Sequence, residues 1–274
     1  MEEATVYLEE LLSDYSTVFG QNHPNALKTR NNLVYMLAQL GRSSEAVEAY
    51  EDLVSRYRNT LGRDHVETFI ALTNYAYSLG NANNSAEAVK VLESLVSDQT
   101  RVLGSSHADT IKTRRNLAFQ RANMGEIDKA VTEYKKLIRD QMQIYGLDHS
   151  QTLITRGNLA AWLAKKGDSK EALKIFQDLF EDQSRTLGSN HPDVLRTKSN
   201  LAFCLAKNGN VDEAKSMFES LLEERTRILG EEHQDTHTTR KNLQALERRA
   251  VGGLSVNGGF SANLSSETYI KPGL

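Results

Sequence analysis

The sequence is poor in the residues that link many small proteins through disulfides or metal ions. Cys204 is the single cysteine among 274 residues, and there are only three prolines and one tryptophan. One thiol can build neither a disulfide framework nor a cysteine zinc site. We therefore interpret Cys204 as a small buried core residue and expect a reducing, cytoplasmic location.

Long hydrophobic runs and a strong net charge are lacking too. No apolar run approaches the ~20 residues needed to span a bilayer, and no signal peptide is visible. The formal net charge is −3, which gives no reason to expect binding to nucleic acid or to an anionic membrane. The composition therefore predicts neither a nucleic-acid partner nor a membrane partner.

Motifs of known catalytic chemistry are also missing. The sequence has no Gly-x-Ser-x-Gly nucleophile motif, no phosphate-binding glycine-rich loop and no His-Glu-x-x-His zinc motif. We therefore predict a protein that is not an enzyme and that uses no cofactor.

The sequence does contain a strict internal repeat of 42 residues. We count positions from a glycine that begins each copy, here Gly20, Gly62, Gly104, Gly146, Gly188 and Gly230. A histidine follows at position 3, an asparagine at position 12 and, in the complete copies, an alanine at position 26. A fixed period of this length predicts an array of stacked helix pairs.

Local signals divide each copy into a first and a second helix. In the copy that starts at Gly188, Asn190 is a suitable N-cap for the first helix, and apolar residues then recur at helical spacing. Gly209 ends that helix, and Asn210 with Glu213 resembles a capping box for the second, as do Asp168 with Glu171 and Asn84 with Glu87. Gly230 is expected to end the second helix in a left-handed conformation, with Arg225 and Arg227 at the negative end of its dipole.

The regularly spaced histidines do not indicate a metal site. Equivalent positions in stacked helix pairs lie roughly 10 Å apart, whereas zinc ligands lie about 2 Å from the ion. His233 and His237 are four residues apart, but no further ligand accompanies them. We expect the histidines to shape the first turn of each first helix instead.

The pattern NLA-x-x-L-x-x-x-G-x-x-x-EA-x-x-x-[YF] resembles the tetratricopeptide repeat over residues 3–247. That repeat is usually about 34 residues long, so each helix here gains about one turn. The long form, with LG-x-x-H between copies, resembles the kinesin light chain repeats and the repeat arrays of NB-ARC-type signalling ATPases. The resemblance implies an all-α, right-handed α-solenoid of stacked antiparallel helix pairs and a non-catalytic interaction function.

The period also predicts the boundaries. Residues 1–19 match the second helix of an incomplete repeat, five complete repeats follow, residues 230–250 form a terminal helix, and 251–274 are a flexible tail. The complete repeats are 20–61, 62–103, 104–145, 146–187 and 188–229. The half-repeat indicates either a fragment of a longer protein or a half-repeat that serves as its own cap. In the repeat 62–103 we expect an altered turn, because Asn83 stands in place of glycine and Gly80 comes three residues earlier.

Four positions of the first helix share one face, and this face is the predicted binding site. Position 8 supplies Lys28, Lys112 and Arg196; position 15 supplies Tyr35, Tyr77, Phe119 and Phe203; position 19 supplies Lys165 and Lys207. Position 12 holds Asn32, Asn74, Asn116, Asn158, Asn200 and Asn242. The resemblance implies that first helices line a concave groove in which these asparagines hold a ligand backbone. A carboxamide can pair with a peptide C=O and N–H, and no acidic residue occurs at these positions, so we predict binding of an extended, acid-containing peptide. The alternative is that the asparagines tie neighbouring repeats together.

Position 10 of the first helix carries a further basic row. Its members are Arg30, Arg114, Arg156, Lys198 and Arg240. We favour structural ion pairs, with Glu45, Glu87, Glu171 and Glu213 as candidate partners, over ligand contact.

Two functions follow from the resemblance. One is a cargo-adaptor scaffold of the kinesin light chain type. The other is a regulatory or assembly repeat domain of a larger nucleotide-binding signalling ATPase, with further domains upstream of residue 1. Heptads encoded before Met1 would favour the adaptor, and a Walker A sequence would favour the ATPase.

Overall fold

The computed structural model describes residues 2–252, which form twelve α-helices joined by short turns and contain no strand. Even-numbered helices are the first helices of the repeats, and α3, α5, α7, α9 and α11 are second helices. The helices are α1 (Glu2–Phe19), α2 (Pro24–Gln39), α3 (Ser43–Leu61), α4 (Val66–Asn81), α5 (Ser85–Leu103), α6 (Ala108–Asn123), α7 (Ile127–Ile144), α8 (Ser150–Lys166), α9 (Ser169–Leu187), α10 (Pro192–Lys207), α11 (Val211–Leu229) and α12 (Gln234–Gly252).

The last helix runs two residues beyond its predicted end. We expect the helix to stop at residue 250, whereas α12 continues to Gly252. The rest of the predicted tail, 253–274, lies outside the described residues.

Contacts divide the chain into two compact units, with the boundary between Glu133 and Tyr134 inside α7. In the first unit, each of α1 to α5 packs on the next helix, and α2 also contacts α4. In the second unit, each of α8 to α11 packs on the next helix, and α8 also contacts α10. Within a unit, successive helix pairs are therefore stacked, as the repeat predicts.

The core of each repeat is built on the second helix. The alanine at position 26 is fully buried, and so is the large side chain at position 30. The small alanine allows the first helix to approach closely, while burial of a large apolar side chain contributes about 1.5–3 kcal/mol. The fully buried pairs are Ala46 with Tyr50, Ala88 with Leu92, Ala130 with Tyr134, Ala172 with Phe176 and Ala214 with Phe218.

The first helices are capped by histidine, not by the predicted asparagine. The N-cap of α10 is His191, and its Nδ1 accepts a hydrogen bond of 3.2 Å from the main-chain N–H of Asp193. Nδ1 occupies the place in which an asparagine carries Oδ1, so a neutral histidine can cap in the same way. The same bond, 3.1–3.2 Å long, occurs at His23, His65, His107, His149 and His233.

We expect loss of one such cap to be measurable. His107→Ala should lower the free energy of unfolding by about 0.5–2 kcal/mol, the usual effect of removing an N-cap. His107→Asn should retain most of that stability, because its Oδ1 can accept the same hydrogen bond. Chemical denaturation of both variants checks this. An asparagine variant as unstable as the alanine variant would contradict the capping role.

The second helices follow the predicted signals only in part. Asn84 caps α5 by accepting from the N–H of Glu87 at 3.4 Å, as predicted. Asp168 and Asn210 stand at the N-caps of α9 and α11 but make no capping bond through their side chains. At the far end, Gly230 has φ 89° and ψ 165°. This is the extended, glycine-only region rather than the predicted left-handed helical one.

The predicted altered turn in the second complete repeat is not observed, because Asn83 adopts the positive φ of the glycines at its place in the other repeats and the turn keeps the same main-chain hydrogen bonds. Asn83 has φ 59° and is the only non-glycine residue with a positive φ in the described range. Asparagine tolerates this conformation better than other non-glycine residues. Gly80 stands where the first helices of the other complete repeats carry alanine, and a Cβ there would overlap the side chain of Gln120. The displaced glycine therefore makes room for a neighbouring helix.

Candidate functional site

In the first unit, the predicted asparagines lie beneath the surface. Asn74 and Asn116 are fully buried, and Asn32 is half-buried. The Nδ2 of Asn74 donates to the Oδ1 of Asn31 at 3.3 Å, which joins α4 to α2. Neither Oδ1 nor Nδ2 of Asn116 has a hydrogen-bond partner within residues 2–252. Asn74 thus ties neighbouring repeats together, whereas the carboxamide of Asn116 has no such use.

Aromatic rings close the same face of the first unit. The rings of Tyr35 and Tyr77 lie 6.1 Å apart between centroids, and the Nε2 of Gln39 donates to the Tyr77 hydroxyl at 2.8 Å. Burial, with a smaller contribution from Tyr77, raises the pKa of Tyr35. Phe119 is half-buried at the equivalent place on α6. Large side chains at position 15 therefore form the face here.

In the second unit, small residues open a cleft on the equivalent face. Position 15 of α8 is Ala161, and Gly157 lies one turn before it. The cleft between α8 and α10 is about 20 Å³ in the volume open to a water molecule, enough for one ordered water. It is lined by Leu153, Ile154, Gly157, Asn158, Ala161, Phe176, Leu179, Gln183, Arg196, Thr197 and Asn200.

The cleft brings three predicted site residues together. Asn158 and Asn200 are only 4% and 5% exposed, yet both line the cleft, as does Arg196. The last asparagine, Asn242 on α12, is similarly buried but is not among the lining residues. The arrangement offers carboxamide and guanidinium groups to a ligand that enters between α8 and α10.

Two exposed lysines on this face lie near aromatic rings. The Nζ of Lys165 is 4.5 Å from the centroid of Trp162, and the Nζ of Lys207 is 5.6 Å from that of Phe203. These separations permit cation–π attraction, which orients the ammonium groups. Neither lysine forms an ion pair within the described residues, so both charges are available to a ligand.

Other predicted cations already have acidic neighbours. The Nζ of Lys112 lies 3.9 Å from Asp109, and Arg196 forms an ion pair with Asp193. Both aspartates occupy position 5, one turn before the row from which acidic residues are missing. Lys28 on α2 is exposed and has no ion pair within residues 2–252. Net positive charge on the face therefore comes chiefly from Lys28 in the first unit and from Lys165 and Lys207 in the second.

Four of the five basic residues at position 10, all except Arg240, form ion pairs within their own repeat, as predicted, but with other partners. The first helix pairs with its own second helix in Arg30–Asp52 at 3.5 Å, Arg114–Glu133 at 2.9 Å, Arg156–Asp182 at 2.6 Å and Lys198–Glu224 at 2.8 Å. The predicted partners lie in the first turn of the second helix and pair with other residues instead. These pairs are Glu45 with Arg42, Glu87 with Lys90, Glu171 with Lys135 and Glu213 with Asn210.

The cysteine and the histidines form no reactive or metal-binding site in the part of the chain that the structure describes. Cys204 is fully buried, which confirms its predicted core position, and burial raises the pKa of its thiol to about 12. Among residues 2–252, no three His, Cys, Asp or Glu side chains are grouped so that they could hold a metal ion. No helix in that range combines the length and hydrophobicity that a membrane crossing requires.

The contribution of Ala161 and Gly157 was not predicted from the sequence. In the sequence they are two small residues four positions apart on the first-helix face. The other complete repeats carry aromatic rings at position 15, where this repeat has Ala161. Two small residues one helical turn apart are therefore the feature of the sequence that could have predicted the cleft.

Comparison with known proteins identifies the repeat. Tetratricopeptide repeats match residues 26–67, 109–183 and 194–235, together more than half of the chain. No curated protein matches significantly.

Solved structures show the same fold. A Podosopora anserina putative kinesin light chain with nearly identical TPR-like repeats is 26% identical over 75% of this chain and 97% of that chain, with a TM-score of 0.65. The apo quorum sensor NprR from B. thuringiensis is 15% identical over 94% and 68%, with a TM-score of 0.67. NprR in complex with its cognate peptide NprX is 16% identical over 93% and 78%, with a TM-score of 0.53. The predicted all-α solenoid class is thus confirmed, and the chain belongs to the tetratricopeptide repeat family, with repeats of the kinesin light chain type.

Proposed function

We propose that this protein is a non-catalytic interaction module that binds an extended peptide on the first-helix face of its second unit. The observation that carries the proposal is the cleft between α8 and α10, lined by Asn158, Asn200 and Arg196. The space suits a main-chain carbonyl or a methyl group better than a large side chain. A peptide carbonyl that displaces the water could accept from a carboxamide Nδ2, which preserves hydrogen bonding.

The comparisons support peptide binding as a use of this fold. NprR binds its cognate peptide, and at that level of identity the likeness concerns the fold alone. The likeness to a putative kinesin light chain supports the finer proposal of a cargo-adaptor scaffold. The alternative ATPase-linked domain stays a prediction, to be decided by the sequence encoded before residue 1.

We further propose that the peptide carries acidic residues that meet Lys165 and Lys207. These two lysines occupy equivalent places on α8 and α10, and packed helices lie about 8–10 Å apart. Extended chain advances ~3.3 Å per residue and its side chains alternate between two faces, so acidic residues two or four positions apart, about 7 or 13 Å, would face both flexible lysines. Ion pairs at such exposed places contribute mainly specificity and association rate.

The test uses a peptide selected from a random library on the wild-type protein. The double variant Lys165→Gln with Lys207→Gln should bind this peptide about 2- to 30-fold more weakly at low salt, because exposed ion pairs contribute ~0.2–1 kcal/mol each. The double variant should also lose most of the salt dependence of binding, since exposed charges are screened over ~10 Å at 0.1 M salt. Fluorescence anisotropy over a salt series measures both effects.

The matched control replaces two exposed lysines of the second helices, Lys136→Gln with Lys174→Gln. This variant has the same net charge as the test variant but an unaltered first-helix face. Equal weakening by both variants would show that only the net charge matters, and salt-independent wild-type binding would contradict the acidic preference.

A further inference from the structure

Arg225 on α11 is a buried cation without a direct ion pair. Arg225 is only 2% exposed, and no carboxylate lies within ion-pair distance of its guanidinium in the described residues. The sequence predicts that Arg225 lies at the negative end of its own helix dipole. The structure instead directs its Nη1 to α12, where it donates to the carbonyl of Asp235 at 3.1 Å and to the Thr239 hydroxyl at 2.7 Å.

Other repeats make the same link without a charge. Position 37 is Gln141 and Gln183 in the preceding second helices, and Arg225 is its counterpart in α11. The Nε2 of Gln141 donates to the carbonyl of Gln151 at 3.3 Å, the residue equivalent to Asp235. The Oε1 of Gln183 accepts from Thr197 at 2.6 Å, the residue equivalent to Thr239. A neutral amide is therefore sufficient for the structural role.

The positive charge of Arg225 is costly where it lies. Burial lowers the pKa of its guanidinium, and the negative charge of Asp235 offsets only part of that shift. Its Nε is buried with no hydrogen-bond partner within residues 2–252. A buried charge normally requires an opposite charge and hydrogen bonds to all its donors. The excess of charge and the unpaired donor indicate that a further group belongs beside it.

A cavity of about 240 Å³ adjoins this guanidinium. It lies where α10 begins, α11 ends and α12 begins, and its lining residues are Asn190, Pro192, Leu195, Arg225, Ile228, Leu229, His233 and Asp235. None of them lines the cleft between α8 and α10. Four of the eight are apolar, and the N-terminus of α12 adds partial positive charge.

We propose that this cavity binds a carboxylate carried on a short apolar group. The carboxylate would accept hydrogen bonds from the guanidinium of Arg225, while the apolar group would contact Leu195, Ile228 and Leu229. The carboxylate of Asp235 lines the same cavity without pairing with Arg225, and its charge disfavours a divalent anion such as sulfate. The site therefore selects a singly charged organic acid, either free or at the C-terminus of a peptide.

The test compares binding of butyrate, its neutral analogue butyramide and sulfate to the full chain. Arg225→Gln is the informative variant, because glutamine fills this structural role in two other repeats. Butyrate should raise the melting temperature of the wild type by mass action, and its affinity should fall about tenfold or more in Arg225→Gln. Asp235→Asn should bind butyrate several-fold more tightly, because a like charge is removed.

Three outcomes would overturn the proposal: equal responses of the wild type and Arg225→Gln, stabilisation by butyramide as strong as by butyrate, or sulfate binding as tight as butyrate binding. A leucine-terminated peptide with a free carboxylate, compared with its C-terminal amide, distinguishes the source. Tighter binding of the free-acid peptide than of both its amide and butyrate indicates a chain terminus. Weaker binding of this peptide than of butyrate indicates a free small acid. Because none of these probes needs the cleft on α8 and α10, failure here leaves the proposed peptide function intact.

Discussion

Ala161→Phe is expected to weaken a library-selected peptide by about tenfold or more, which corresponds to ~1.4 kcal/mol. Phenylalanine is already the residue at the same position of α6 and α10, as Phe119 and Phe203, so the helix surface can carry it. The ring would occupy the opening between α8 and α10 and cover Asn158 and Asn200. Fluorescence anisotropy with the selected peptide measures the change.

Overpacking is the competing explanation for such a loss, because an oversized side chain can cost ~1–3 kcal/mol of stability. The melting temperature of Ala161→Phe should therefore be measured in the same preparation. Ala245→Phe provides a matched control, since Ala245 holds the equivalent place on α12 and does not line the cleft. Unchanged affinity in folded Ala161→Phe, or an equal loss in Ala245→Phe, would show that the cleft is not used.

Asn116→Leu is expected to raise the free energy of unfolding by about 1–3 kcal/mol, the cost of a buried polar group that is left unpaired. The Asn116 carboxamide is fully buried, and neither of its polar atoms has a partner within residues 2–252. Leucine has a similar shape and removes that penalty. Urea denaturation of the wild type and the variant measures the difference.

Asn74→Leu should have the opposite sign. The side chain of Asn74 donates to Asn31, whose Oδ1 would lose this donor inside the first unit. A loss of about 1–3 kcal/mol is therefore expected. Stabilisation by Asn74→Leu, or destabilisation by Asn116→Leu, would contradict the assignment of different roles to two residues at the same repeat position.

The sequence predicts the helices well because the repeat encodes each of them several times. Each complete copy has a glycine, a buried alanine and a large side chain four residues after that alanine. These residues recur at the same positions in every complete copy, which chance does not explain. The caps were harder to predict, because asparagine is the more usual cap and Asn190 stands next to His191. Only the backbone shows that the histidine, one residue later, is the last non-helical residue.

The site could be predicted as a face but not as an opening. Whether an asparagine at position 12 reaches a ligand depends on the side chains above it, and these differ between Tyr77 and Ala161. The net charge of the face also depends on Asp109 and Asp193, which lie beside Lys112 and Arg196 but one turn outside the rows that define the face. Such effects depend on packing between neighbouring helices, which a single-helix pattern does not contain.

The most direct test of the peptide site is to observe the carboxamides of Asn158 and Asn200 during a titration. Their side-chain NH₂ resonances can be followed in ¹⁵N-labelled protein and assigned with the variants Asn158→Leu and Asn200→Leu. We expect both signals to shift as the selected peptide binds, while that of Asn242, which lines neither the cleft nor the cavity beside Arg225, stays in place. Saturable binding that leaves the Asn158 and Asn200 signals unmoved would contradict the account.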